Sequence, residues 1–140
     1  MNVDTRPYGQ GDTSFRAAGG ESGIRQLVDA FYDRMESDAR FARINEMHPA
    51  DKAESRDKLA RFLCGWLGGP RRYQEKYGGI SIPAAHAHLE VGVEERDQWI
   101  SCMRDAIAEQ DYADDFRGYL IEQLSIPAEV IRRRSENLTA

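Results

Sequence analysis

Apolar residues recur along this chain with a helical period. Ile24, Leu27, Val28, Phe31 and Met35, with Tyr32 beside them, fall at i, i+3, i+4, i+7 and i+11, which is one face of an α-helix. Gly19-Gly20 punctuates the chain ahead of that helix. A short polar stretch with Phe41 and Ile44 follows. Met47-His48-Pro49 then interrupts any helix, because proline pushes the residue before it toward extended backbone. Asp51 and Glu54 have capping-box spacing and predict the start of a second helix. Its apolar face is Leu59, Phe62, Leu63, Trp66 and Leu67, and Gly68-Gly69-Pro70 stops it. A third helix is predicted from Val93, with Glu94 and Glu95 in the first turn, where the helix dipole favours negative charge. Trp99, Cys102, Met103, Ala106 and Ile107 form its inward face. A fourth starts near Asp114, with Phe116, Tyr119, Leu120 and Leu124 inward. Pro127 predicts a kink or break in it, since an interior proline costs about 3 kcal/mol or more, with Val130 and Ile131 on a continuation. No strand alternation or internal repeat competes with these patterns, so the expected fold class is all-α.

The 140 residues suffice for one domain, and 41% hydrophobic with 31% charged residues permits a packed core. No apolar run approaches the roughly 20 residues of a membrane helix, so no membrane association is expected. The net charge of −5 and the lack of a basic patch argue against nucleic-acid binding. The cluster Arg132-Arg133-Arg134 reads as a solvated helix end. Residues 1–13 carry no apolar period and no signal-like apolar core, and are expected to form a flexible arm. Cys64 and Cys102, the two cysteines, stand among apolar neighbours and read as buried free thiols suited to a reducing cytoplasm.

Residues 71–92 are divided by Gly78, Gly79, Pro83 and Gly92 and hold no long period, and such a segment in a small domain is often functional. It contains His86 and His88. No phosphate-binding loop, nucleophile elbow or zinc-protease helix occurs in the sequence. Three readings of the remaining chemistry stand side by side. His86 and His88 with His48 form a non-haem metal site; Tyr32, Trp66 and Trp99 are core residues of a helical interaction module; or helices converge on a cavity. A histidine on one wall and hydroxyl and indole donors on the other are the minimum design for haem with a gaseous ligand.

The order and spacing of these motifs resemble the truncated globins of group II, over roughly residues 14–125. Gly19-Gly20 matches the family's first glycine hinge, and Phe31-Tyr32 its Phe-Tyr pair on the second helix. Leu67-Gly68-Gly69-Pro70, followed by Tyr73, matches the second hinge. His86, nine residues before Glu95-Arg96-Asp97 and leading into Trp99 and Cys102-Met103, matches the haem-binding histidine and the tryptophan helix.

The resemblance implies a shortened globin fold over residues 14–140, a two-over-two helical sandwich around haem b. It implies His86 as the proximal iron ligand, with Tyr32 and Trp99 as distal donors and His48 at the start of the distal loop. Phe31, Ser55, Leu59, Phe62 and Met103 would line the pocket, and Lys58 and Tyr73 would reach the propionates. It further implies tight binding of O2, with CO and NO as other ligands. O2/NO or redox chemistry then fits better than bulk transport, with NO dioxygenase-like or peroxidase-like turnover calling for a reductase. A monomer or weak homodimer suits a bundle of this size. The chain departs from the pattern at Ile82-Pro83-Ala84-Ala85, where many relatives carry arginines, at His88 and at Pro127.

Overall fold

A computed structural model describes residues 6–79, 86 and 89–139, with side chains up to residue 136. Every regular element among the described residues is helical: α1 (Thr13–Ala17), α2 (Gly20–Ser37), a 3-10 turn (Ala39–Phe41), α3 (Ala42–Glu46), α4 (Ala53–Trp66), α5 (Arg72–Tyr77), α6 (Val93–Ala108) and α7 (Asp114–Thr139). Helix α2 packs against α4 on one side and α6 on the other, and α6 packs against α7. This gives two pairs of helices in a two-over-two arrangement.

The apolar stripe of α2 is the centre of the core. Ile24, Leu27, Val28, Phe31, Tyr32 and Met35 are all buried, which contributes on the order of 10 kcal/mol of gross apolar burial. Leu63, Cys64 and Leu67 of α4, Cys102, Met103, Ala106 and Ile107 of α6, and Phe116, Leu120 and Leu124 of α7 complete it. Glu95 reaches back to accept from the Gly92 N–H at 3.2 Å, which satisfies an orphan donor at the start of α6.

Four expectations need correcting. Residues 6–12 of the expected arm pack against the domain. Tyr8 stacks edge-on against Phe116 at 5.1 Å and donates to Asp115 at 2.8 Å, so its apolar ring ties residues 6–12 to α7. Asp51 and Glu54 form no capping box. Asp51 accepts from the Ala53 N–H at 3.0 Å, but Glu54 turns to Lys58 at 3.1 Å. Helix α7 runs through Pro127 without a break. Its second half is held from outside, with Ala128 buried and Glu129 accepting from Arg96 of α6 at 3.0 Å. Finally, Trp66 surfaces at 37% exposure, while Leu59 and Phe62 are half-buried. That edge of α4 faces away from α2.

The turn after α4 depends on glycine for two separate reasons. Gly68 has φ +94°, and a Cβ there would lie 1.9 Å from the Gly11 carbonyl oxygen. The neighbouring backbone is fixed, since Phe15 N–H donates to Leu67 O at 3.0 Å. Gly68→Ala is therefore expected to destabilise the fold by at least about 2 kcal/mol. Thermal unfolding should show a Tm lower by roughly 8 °C; an unchanged Tm would contradict the close approach.

Candidate functional site

The second half of α2 brings two aromatic rings to one place. Phe31 and Tyr32 are adjacent in sequence, and their rings meet edge-to-face at 5.0 Å. Phe31 also meets Trp99 of α6 at 5.4 Å, and Tyr32 meets His48 at 5.6 Å. One contiguous group thus joins α2, α6 and the segment after α3. Cys102 reinforces it by donating from Sγ to the Phe31 carbonyl at 3.3 Å. Burial pushes that thiol up to about 12, so it stays protonated and unreactive.

Tyr32 is only 5% exposed. Among the described residues its hydroxyl makes no hydrogen bond; the Arg56 guanidinium lies 5.7 Å from the ring centroid instead. Burial raises the phenol pKa strongly, and the Arg56 charge offsets only part of this. The group is a neutral O–H donor at any ordinary pH.

His48 has the opposite bias. Its Nδ1 lies 2.9 Å from the Ile44 carbonyl oxygen. A carbonyl only accepts, so Nδ1 carries the hydrogen and Nε2 keeps the lone pair. Burial lowers the pKa; the bond to Ile44 opposes this, and the charges of Lys52 and His86 lower it further. Lys52 is itself buried, with Nζ 3.6 Å from Glu36 Oε1. The folded state therefore binds a proton at His48 less readily than the unfolded chain. This contribution to stability is full above the unfolded value near 6.5 and declines as pH falls below it. An NMR titration should place the His48 midpoint below 6.5, and a midpoint above it would reverse the sign.

His86 sits in a turn closed by the Leu89 N–H donating to its carbonyl at 3.0 Å, and it is half-buried. It lies close enough to His48 to depress that imidazole's pKa. Met103 is fully buried, Trp99 is half-buried, and Ser55, Leu59 and Phe62 are half-buried along α4. Lys58 and Tyr73 meet at a separate place. Lys58 Nζ lies 5.3 Å from the Tyr77 ring centroid and pairs with Glu54, and Tyr73 packs on Tyr77 at 5.1 Å. His88 and the stretch 82–85 lie outside the described residues. Among the described residues no three His, Cys, Asp or Glu side chains converge on a metal position. No helix among them is long and apolar enough to cross a membrane.

The sequence reading missed Asp57. This carboxylate accepts from Arg25 at 2.8 Å, Arg61 at 3.0 Å, Lys76 at 2.8 Å and the Tyr77 hydroxyl at 2.7 Å. Burial would raise its pKa, but the four donors together hold it well below the usual carboxylate range. The cluster fastens α2, α4 and α5 at one point. Nothing in the local string Arg56-Asp57-Lys58 distinguishes it from other surface charges. Asp57→Asn should cost about 2 kcal/mol by leaving three cations without their shared partner. The loss should appear in urea unfolding at pH 7 and shrink as pH falls below about 4, where the native carboxylate's advantage fades.

Residues 13–131 match the bacterial-like globin family. The chain is 32% identical over 117 residues to the group 2 truncated hemoglobin YjbI of Bacillus subtilis (strain 168), covering 84% of this chain and 86% of that protein. Among solved structures, it superposes on the group II 2-on-2 hemoglobin of Agrobacterium tumefaciens with a TM-score of 0.83 at 31% identity, over 94% of this chain and 98% of the other. A truncated oxygen-avid haemoglobin from Bacillus subtilis gives 0.77 at 32% identity, over 84% and 97%.

Proposed function

The chain belongs to the bacterial-like globins and is a truncated haemoglobin of group II, and from that premise we propose that it binds haem b through His86 and retains O2 tightly. CO and NO are the other ligands of the same position. When bound, haem would supply an iron able to take an imidazole from the chain and a diatomic ligand.

The observation that carries this reading is the ring set that gathers a phenol, an indole and an imidazole from three parts of the chain: Phe31 meets Tyr32 at 5.0 Å and Trp99 at 5.4 Å, and Tyr32 meets His48 at 5.6 Å. Burial keeps the Tyr32 phenol protonated, so it is available to donate to a ligand. The remaining side chains fit the same group. Phe31, Met103, Leu59 and Phe62 are apolar walls, and the edge of α4 that α2 leaves uncovered supplies the last two. The non-haem metal reading depends on His88 and gains no third ligand among the described residues.

The roles divide by chemistry. His86 offers a ring nitrogen to the iron. Tyr32, kept protonated by burial, donates to the ligand, and the indole N–H of Trp99 donates from the opposite helix. His48 presents Nε2 as an acceptor, since Nδ1 is committed to Ile44. Phe31 spaces Tyr32 from Trp99 and keeps water from between them. Lys58 and Tyr73 hold the propionate side. The oxygen-avid relative supports tight binding, and so do two donors on one ligand. Slow release favours O2/NO or redox chemistry, with a reductase as electron donor. Two free, buried thiols suit a reducing compartment such as the cytoplasm. The protein acts as a monomer or weak homodimer.

Purified protein titrated with haemin tests the proposal. A Soret band saturating at one haem per chain is expected, with a five-coordinate or His48-ligated ferrous spectrum. Failure to take up haem stoichiometrically would remove it.

A further inference from the structure

The segment that carries His86 is held by the far end of α7. The Val91 N–H donates to Ser135 Oγ at 2.9 Å, and the Ser135 hydroxyl lies 3.4 Å from the Leu89 carbonyl oxygen, to which it donates. One side chain thus closes both an orphan donor and an acceptor in the short stretch between His86 and α6. The Leu89 N–H in turn donates to the His86 carbonyl at 3.0 Å. Ser135 is therefore two hydrogen bonds away from His86, although 49 residues separate them in the chain.

Ser135 can do this only because α7 continues past Pro127. At 1.5 Å per residue, the eight residues from Pro127 to Ser135 extend the helix by about 12 Å. That extension is fixed independently. Arg96 in the first turns of α6 donates to Glu129 at 3.0 Å, Arg132 donates to the same carboxylate, and Arg132 also donates to Glu136 at 2.9 Å. Both ends of the 89–92 stretch are thereby referred to one rigid helix: Val91 through Ser135, and the start of α6 through Arg96.

We propose that Ser135 is a positioning residue for the proximal histidine, and that the C-terminal extension of α7 sets the orientation of His86. The inference rests on the reading of His86 as the iron ligand. It assigns a role to a helix end that lies outside the ligand pocket and beyond residue 131, where the family match stops.

The full chain tests it, as the parent, Ser135→Ala and Ser135→Thr, each with and without haem. Circular dichroism and thermal melts first check that all three fold alike. In the haem-free chains, the Val91 amide should exchange about fivefold faster in Ser135→Ala, and Ser135→Thr should restore protection. In the haem-loaded chains, the ferrous iron–histidine stretching band should shift and broaden in Ser135→Ala. Haem loss to an acceptor globin should be several-fold faster, again with rescue by threonine. Faster Val91 exchange with an unmoved iron–histidine band and unchanged haem loss would mean the contact only fastens the loop, and would overturn the proposal. Unchanged Val91 exchange would overturn it too. A parent that takes up no haem overturns the haem reading itself, and the present inference falls with it for that separate reason.

Discussion

Replacing His86 with glycine is expected to abolish the ferrous five-coordinate spectrum and to speed haem loss by at least a hundredfold. Added imidazole should restore the spectrum, because the free ligand fills the space the side chain vacates. The magnitude follows from what is removed. The imidazole is the single covalent attachment of the iron to the chain in this reading, and a hundredfold is only about 2.7 kcal/mol, well below the worth of a metal–ligand bond. The result also separates His86 from His88. If His86→Gly keeps the parent spectrum and His88→Gly loses it with imidazole rescue, the ligand assignment passes to His88. The second outcome would also remove the positioning role of Ser135, since the bonds from Leu89 and Val91 refer to the His86 turn.

The second large effect lies on the other side of the pocket. Tyr32→Phe and Trp99→Phe should each raise the O2 dissociation rate about tenfold or more, and the double variant should exceed either. A hydrogen bond to a ligand bearing partial charge contributes about 1.5–3 kcal/mol, and 1.4 kcal/mol is tenfold in a rate. CO, which carries less charge, should respond far less, so the ratio of the two effects distinguishes a donor role from a steric one. Tyr32→Phe also removes a buried hydroxyl without opening a cavity, so folding stability should hold or rise. Stopped-flow measurements giving parental O2 release in both single variants would dispose of the distal assignment.

The two assignments differ in how the structure bears on them. Tyr32, Phe31, Trp99 and His48 form a continuous set of ring contacts. His86 is linked to the set through its charge's effect on His48. Lys58 and Tyr73 gather instead around Tyr77, beside the Asp57 cluster. That cluster pins α5, the helix that precedes His86 in the chain.

Helical period and punctuation determined most of the fold in advance. The stripes of α2, α6 and α7 buried most of the residues their spacing named, with Trp99 and Tyr119 half-buried at the edges, because a 3.6-residue period fixes which side chains share a face whatever the partner is. The glycine turn at 68–69 was equally legible, since its demand on the backbone is local. The pairing of Tyr32 with His48, and of Phe31 with Trp99, was suggested only through family resemblance, since periodicity does not say which faces meet. Tertiary structure alone decided the rest. A proline lowers the odds of helix by removing one bond, but packing by Ala128 and the Arg96–Glu129 pair outweighed that cost and carried α7 to Ser135. Trp66 reached the surface because no described helix covers that edge of α4. Asp57 became a hub because three helices happen to end their charges at one point. Each of these outcomes depends on neighbours distant in sequence, and a linear pattern carries no record of them.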